Sequence, residues 1–180
     1  MAKKHKKRKG GSGNRKGGAF ERDVCRALSR FINPKSSETM FWRSSMSGGR
    51  ATVQARKGIK NKNQAGDITC IHPEGQWFTD LFVVECKHVA NLNLTASMLD
   101  GRGKLAAFWK KHCKLAADND LAPLMIAKQN RTDTLVIFDK AGLQKFRTFG
   151  HEVTVIATSR MLIKGQLAYL AKFKAVFGGK

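Results

Sequence analysis

Apolar residues in this chain fall into runs of two distinct periods. Residues 81–84 read Leu-Phe-Val-Val, an unbroken series of branched and aromatic side chains that a sheet can bury on both faces, and the run continues into Glu85-Cys86-Lys87-His88. A strand is expected there. Residues 67–71 alternate polar with apolar positions between Gly66 and the turn His72-Pro73-Glu74-Gly75, which predicts a neighbouring strand joined to the first as a hairpin. Helical spacing governs 19–31, where Phe20, Val24, Ala27, Leu28 and Phe31 line one stripe before Asn33-Pro34 ends the helix. It returns at 103–118, with Leu105, Phe108, Trp109, His112 and Ala116 on one face, while Lys104, Lys110, Lys111 and Lys114 are free to face water or an anionic partner. Residues 121–128 form a second buried run with Pro123 near its start, expected to lie parallel to the 81–88 strand across that helix. Short strands are predicted at 40–43, 134–138 and 153–157. Residues 161–177 follow an approximately helical pattern that suits core packing, a dimer contact or a basic helix facing an anionic partner. The whole reads as an α/β chain with a central mixed sheet flanked by helices in the order αβββαβ.

Charge narrows the partners. Lys and Arg number 34 against 13 Asp and Glu, giving a formal net charge of +21 and a pI near 10.4, an excess that calls for a polyanionic partner, nucleic acid foremost. Residues 1–18 carry Lys3, Lys4, Lys6, Lys7, Arg8, Lys9, Arg15 and Lys16 and no acid, so a disordered basic tail is expected. It is either a solubilising extension or a phosphate-binding arm whose grip falls with salt. Residues 44–63 form a second polar, basic, Gly-containing stretch, read as a long loop. No apolar run is long enough to span a bilayer, and the start lacks the apolar core of a signal peptide, so the expectation is a cytoplasmic protein with no membrane partner. Cys25, Cys70, Cys86 and Cys113 are widely spread and form no Cys-x-x-Cys pair, which reads as reduced thiols; zinc binding would need a tertiary coincidence.

Candidate chemistry sits at the end of the first apolar run. On a strand, Glu85 and Lys87 emerge on one side and Cys86 on the other, and the neighbouring strand would bring Asp67 alongside. Two carboxylates at adjacent strand ends suit a hard divalent cation such as Mg²⁺, and a lysine beside them can neutralise charge developing on a phosphate. A Glu-x-Lys triplet by itself is most often a solvated strand end. What raises it is the joint pattern of Gly-Asp, a short gap, a buried run and Glu-x-Lys in a very basic chain.

Asp67 followed by Glu85-Cys86-Lys87 resembles the signature of the PD-(D/E)xK nucleases, with Gly66 in place of the proline. Lys16-Gly17-Gly18-Ala19-Phe20-Glu21-Arg22 resembles the opening of the archaeal-type Holliday junction resolvases of that superfamily, and Arg43-Ser44-Ser45-Met46-Ser47-Gly48-Gly49 occupies the place of their Gly/Ser-rich loop. The resemblance covers roughly 16–128 and implies a restriction-endonuclease-like core, placed at 19–140, with 141–180 as an extension packed on it. It further implies Mg²⁺, with Mn²⁺ able to substitute, held by Asp67, Glu85 and the Cys86 backbone carbonyl, with Lys87 steadying the attacking water. Glu21 would assist the metal directly or through water. Products would carry a 5′ phosphate, and the substrate would be a four-way DNA junction cut by a homodimer, as suits a phage enzyme. Together with the charge pattern it marks Lys16, Arg22, Arg43, Ser44, Ser45, Ser47, Arg50, Arg56, Lys57, Lys60, Lys62 and Lys128 as DNA contacts, Lys128 being equally suited to solvent. The alternatives are a nicking, repair or restriction-type nuclease with the same site, and a non-catalytic basic nucleic-acid-binding protein.

Overall fold

In the computed structural model of the chain, the described residues are 12–35, 37–44, 65–148, 155–160 and 167–178. The basic tail up to residue 11 and residues 45–64 lie outside them. The elements are α1 (Ser12–Ile32), β1 (Phe41–Arg43), β2 (Ile68–Cys70), a 3-10 turn (Pro73–Gly75), α2 (Gln76–Leu81), β3 (Phe82–Val89), α3 (Leu94–Leu99), α4 (Lys104–Asp118), β4 (Ala122–Gln129), β5 (Thr134–Phe138), α5 (Lys140–Thr148), β6 (Val155–Arg160), β7 (Leu167–Lys172) and α6 (Phe173–Phe177). Five strands make a mixed sheet in the order β3-β4-β5-β7-β6, and β1 with β2 forms an antiparallel ribbon. β3 and β4 are parallel across α4, and the remaining pairs of the sheet are antiparallel. A parallel bridge from Gly66 to Val84 joins the ribbon to the outer edge of β3. This is the expected α/β architecture of αβββαβ order, consistent with the restriction-endonuclease-like fold.

β3 is buried on both faces because its sequence supplies apolar groups to both. Phe82, Val84 and Cys86 enter a core with Val24, Cys25 and Leu28 of α1, while Val83 on the opposite face meets Ala116 of α4. Leu105 and Trp109 of α4 pack on Met125, Ala127 and Ile137. Ser29 fixes the path from α1 into β1: its Oγ donates to the Cys25 carbonyl at 2.8 Å and accepts from the Met40 N–H at 2.9 Å.

Three expectations are corrected. The hairpin between the Asp67 segment and β3 does not form. Pro73 opens a 3-10 turn, held by a Glu74 N–H bond to His72 Nδ1, and the chain continues into α2. Burial of Phe78 against Phe41 and Phe82 outweighs a tight turn, so the chain crosses over and meets β3 in the parallel sense. Secondly, α1 begins at Ser12, so Ser12 to Gly18 is helical and not tail. The Lys16 ammonium donates to Asn130 Oδ1, and Gly18 lies under the Arg43 guanidinium, where a Cβ would come within 3.2 Å of Nη1. Thirdly, the helical pattern at 161–177 resolves into strand β7 and the short helix α6, with 161–166 outside the described residues. Ala168 and Leu170 face one core and Ala171 the other, which is the period-two pattern of a strand. Because β7 lies between β5 and β6, residues 141–180 supply sheet strands and are more than an extension resting on the core.

Phe146 of α5 shows how firmly that segment is built in. Its ring lies 5.0 Å from those of Phe82 and Phe138 and 5.7 Å from Phe177. Phe146→Ala is expected to cost about 3–5 kcal/mol, read from the urea midpoint at unchanged m-value. A loss below about 1 kcal/mol would mean that the C-terminal residues pack independently of the core.

Candidate functional site

The strand alternation places Glu85 and Lys87 on the α4 side of β3 and Cys86 on the α1 side. Lys87 Nζ pairs with Glu85 Oε1 and stands 3.9 Å from Asp67 Oδ2. Asp67 reaches them from beyond the sheet edge. Its N–H donates to the Val84 carbonyl and its Oδ2 accepts from the Cys86 N–H, both at 2.8 Å. Because the N–H and C=O of one strand residue point to the same edge, the Cys86 carbonyl also faces the Asp67 side. Gly66 permits this approach: its φ is +90°, and a Cβ there would lie 2.4 Å from the Val84 carbonyl oxygen. The glycine standing where the nuclease signature has proline therefore has a steric reason.

Exposure rises from 8% for the Asp67 side chain through 19% for Glu85 to 28% for Lys87, so a ligand meets the site from the lysine side. Burial pushes the Glu85 carboxyl above its ordinary value, Asp67 pushes it further, and Lys87 and Lys111 pull it back only in part. Burial disfavours the Lys87 ammonium, yet the Glu85 and Asp67 charges more than offset this, and its pKa lies above the usual lysine value. Lys87 is accordingly charged at neutral pH. The Phe108 ring lies beneath it, 5.8 Å from Nζ to centroid. Under the site, fully buried His112 donates from Nε2 to the Val83 carbonyl at 3.0 Å. Burial holds its pKa down to about 4, so the imidazole is neutral.

The structure thus brings Asp67, Glu85, Lys87 and the Cys86 carbonyl to one edge. Glu21 stands close enough for its charge to act on Cys86, and its Oε2 accepts from Arg43 Nε at 2.9 Å. Arg43 is thus paired through Nε while its side chain stays 42% exposed, and the Ser44 N–H next to it donates to the Asp67 carbonyl at 2.8 Å. Arg22 is exposed, and Lys128 is half-buried in register with His88. Ser45, Ser47, Arg50, Arg56, Lys57, Lys60 and Lys62 lie outside the described residues. Phe108 and Lys111 are further parts of the site; in sequence Phe108 belonged to the apolar face with His112 and Lys111 to the cations left for solvent, and neither pattern marks them as neighbours of β3. Among the described residues no three His, Cys, Asp or Glu side chains converge as a metal cluster. Two carboxylates and a carbonyl are nevertheless an all-oxygen donor set, and the repulsion that raises Glu85 is what a hard divalent cation would relieve.

The model of the family described as "Phage putative PDDEXK endonuclease" matches residues 12–172. The chain belongs to that family. No curated protein and no solved structure matches it. Membership of the phage PD-(D/E)xK endonucleases makes the chain a nuclease with a nucleic-acid substrate, and nucleases of this superfamily generally use divalent metals. All of the convergent residues fall within the matched span.

Two outcomes follow from the geometry. Gly66→Ala forces a strained φ and a backbone clash, so a loss of about 2 kcal/mol or more is expected in denaturant unfolding; an unchanged midpoint would show that the Gly66 bridge does not hold the ribbon. For His112, the folded pKa of about 4 lies below the ordinary 6.5, so the protonated form favours the unfolded chain. Its contribution, about 3 kcal/mol, is fully present above pH ~6.5 and is lost as pH falls towards ~4. His112→Gln, which keeps a donor for Val83 but cannot titrate, should show a flatter stability profile across that window than the parent protein.

Proposed function

We propose that this chain is a Mg²⁺-dependent DNA endonuclease, with Mn²⁺ able to substitute, whose preferred substrate is a four-way junction. The observation that carries the hydrolytic reading is the meeting of Asp67, Glu85 and Lys87 at one edge of β3. Asp67, Glu85 and the Cys86 carbonyl would hold the cation. When bound, a divalent ion lowers the pKa of water and polarises a phosphoryl oxygen. Asp67, fixed by the backbone of β3, keeps its free lone pairs aimed at one point and loses no side-chain freedom on binding. Lys87 remains protonated, so its part is to donate from Nζ to a phosphate oxygen as negative charge builds, and not to accept a proton. Attack of water on phosphorus forms the new P–O bond as the bond to the 3′ oxygen breaks; the water gives up a proton to solvent and the 3′ oxygen takes one from solvent, leaving a 3′ hydroxyl and a 5′ phosphate. Glu21 acts through Arg43 as a positioning residue, because Arg43 ends the strand whose next N–H holds the Asp67 carbonyl.

The junction preference is supported by the likeness of 16–22 and 43–49 to the resolvases, and a homodimer would place two such sites in the symmetric positions that paired nicks require. Lys16, Arg22, Ser44 and Lys128, with the cations of the loop at 45–64, are the DNA contacts in this reading.

A labelled four-way junction and a matching linear duplex, each with Mg²⁺ or chelator, test it beside Glu85→Gln and Lys87→Met. Metal-dependent cuts favouring the junction are expected, with each variant at least about 100-fold slower and still binding DNA in chelator. Equal cutting of linear DNA would point to a nicking, repair or restriction-type substrate. Binding without any metal-dependent cleavage would leave a non-catalytic nucleic-acid binder.

A further inference from the structure

Beyond the hydrolytic edge, the register of the sheet brings a second set of polar and cationic groups to one end. His88 follows Lys87 and stands opposite Lys128 on β4; Lys128 stands opposite Thr134 on β5; and Leu135 next to it stands opposite Lys172 on β7. Lys16 reaches the same end from α1 through Asn130. At the far side of this row is a concavity of about 420 Å³ lined by Lys128, Lys172, Lys174, Thr132, Thr134 and Asp133, with the ring of Phe173 beside them. Three ammonium groups face one carboxylate, and that carboxylate already pairs with Lys172 at 3.0 Å. The lining therefore carries net positive charge and a hydroxyl from Thr134, which is the chemistry that takes a phosphodiester, and its volume falls in the range that holds small ligands, roughly 300–1,000 Å³.

We propose that this concavity is a phosphate subsite that grips the nucleic-acid backbone away from the bond that is cut. Adjacent strands lie about 4.8 Å apart, so the way from the outer edge of β3 to the strands β5 and β7 is roughly 10–15 Å. Successive phosphates of one strand are at least about 3.4 Å apart, the axial rise, so the gripped phosphate lies within about four nucleotides of the scissile one. Lys128 lines the concavity, and Lys16 reaches the same end of the sheet through Asn130. Asp133 tunes the grip, since an incoming phosphate must share Lys172 with it. The subsite rests on the nuclease reading only for the position of the cut; binding itself does not need catalysis.

The test measures binding of a labelled duplex and a four-way junction in chelator across a salt series. It compares the parent chain, Lys172→Gln with Lys174→Gln, Asp133→Asn, and a control, Arg30→Gln with Lys35→Gln, that removes the same charge near the other end of α1. The pocket pair should weaken binding severalfold more than the control and reduce the slope of log K against log salt by about 1–2, one per lost phosphate contact. Asp133→Asn should bind more tightly, a gain that misfolding cannot produce. A single methylphosphonate walked from one to about four nucleotides from the cut should, at one position, weaken binding of the parent but not of the pocket pair. Equal weakening by pocket and control variants, or no gain with Asp133→Asn, would reduce the effect to overall charge and overturn the subsite. Inorganic phosphate that binds the parent in a pocket-dependent way, without any pocket effect on DNA, would overturn it in favour of a small-anion site. Pocket-dependent binding by a protein that never cleaves would instead sink the nuclease reading and leave the subsite standing.

Discussion

The hydrogen bond from the Cys86 N–H to Asp67 Oδ2 is the constraint on which site and fold both depend. β3 is the outermost strand of the main sheet, and an open strand edge with unpaired backbone groups invites association. The Asp67 segment covers that edge with two bonds, one from its own N–H to Val84 and one from Cys86 to its carboxylate. A buried carboxylate without partners is costly, so the same pair of bonds satisfies Asp67 and seals the sheet. Closing the edge and assembling the acidic pair are one event. The close backbone contact that it requires is possible only because Gly66 has no side chain.

β3 separates two environments. On the α1 side Cys86 is fully buried, and its thiol is pushed well above the ordinary value by burial and then by Asp67, so it packs as an apolar group. His88, further along the same face, touches Phe20 with 5.3 Å between ring centroids. On the α4 side Lys87 rests over Phe108, while His112 holds the Val83 carbonyl from below. This division explains why acids persist at the centre of so cationic a chain. A surface that only attracted phosphate would be weakened by Asp67 and Glu85. Placed where their mutual repulsion is only partly relieved by Lys87, they have the all-oxygen chemistry that a hard cation would relieve.

The aromatic cluster under the sheet is what makes the C-terminal residues part of the same body. Phe31 of α1, Phe78 of α2, Phe138 of β5, Phe146 of α5 and Phe177 of α6 converge, so burial links elements far apart in sequence. Ring pairs at these separations add to simple area burial and favour one arrangement over looser packings. β7, inserted between β5 and β6, completes the sheet over that cluster and carries Lys172 to the end of the row that begins at His88.

Much of this was readable from local pattern. Strand β5 at Thr134–Phe138, the long helix Lys104–Asp118 and the face shared by Glu85 and Lys87 follow from periods of 2 and 3.6, which are properties of the backbone alone. The acidic pair and lysine could be named because their types and order carry the chemistry. Other features were decided by contacts between distant segments. Whether the 72–81 stretch turned tightly or formed α2 depended on the burial of Phe78 against rings from elsewhere, and β7 was hidden because its six residues run directly into a helical turn. Glu21 was expected to assist a metal, and only the fold set Arg43 beside it. The amino-acid order by itself determined which elements form and which groups can do chemistry; tertiary structure decided which of them meet, because a pairing across the chain is won by the area buried and the polar groups satisfied there, and no local period records either.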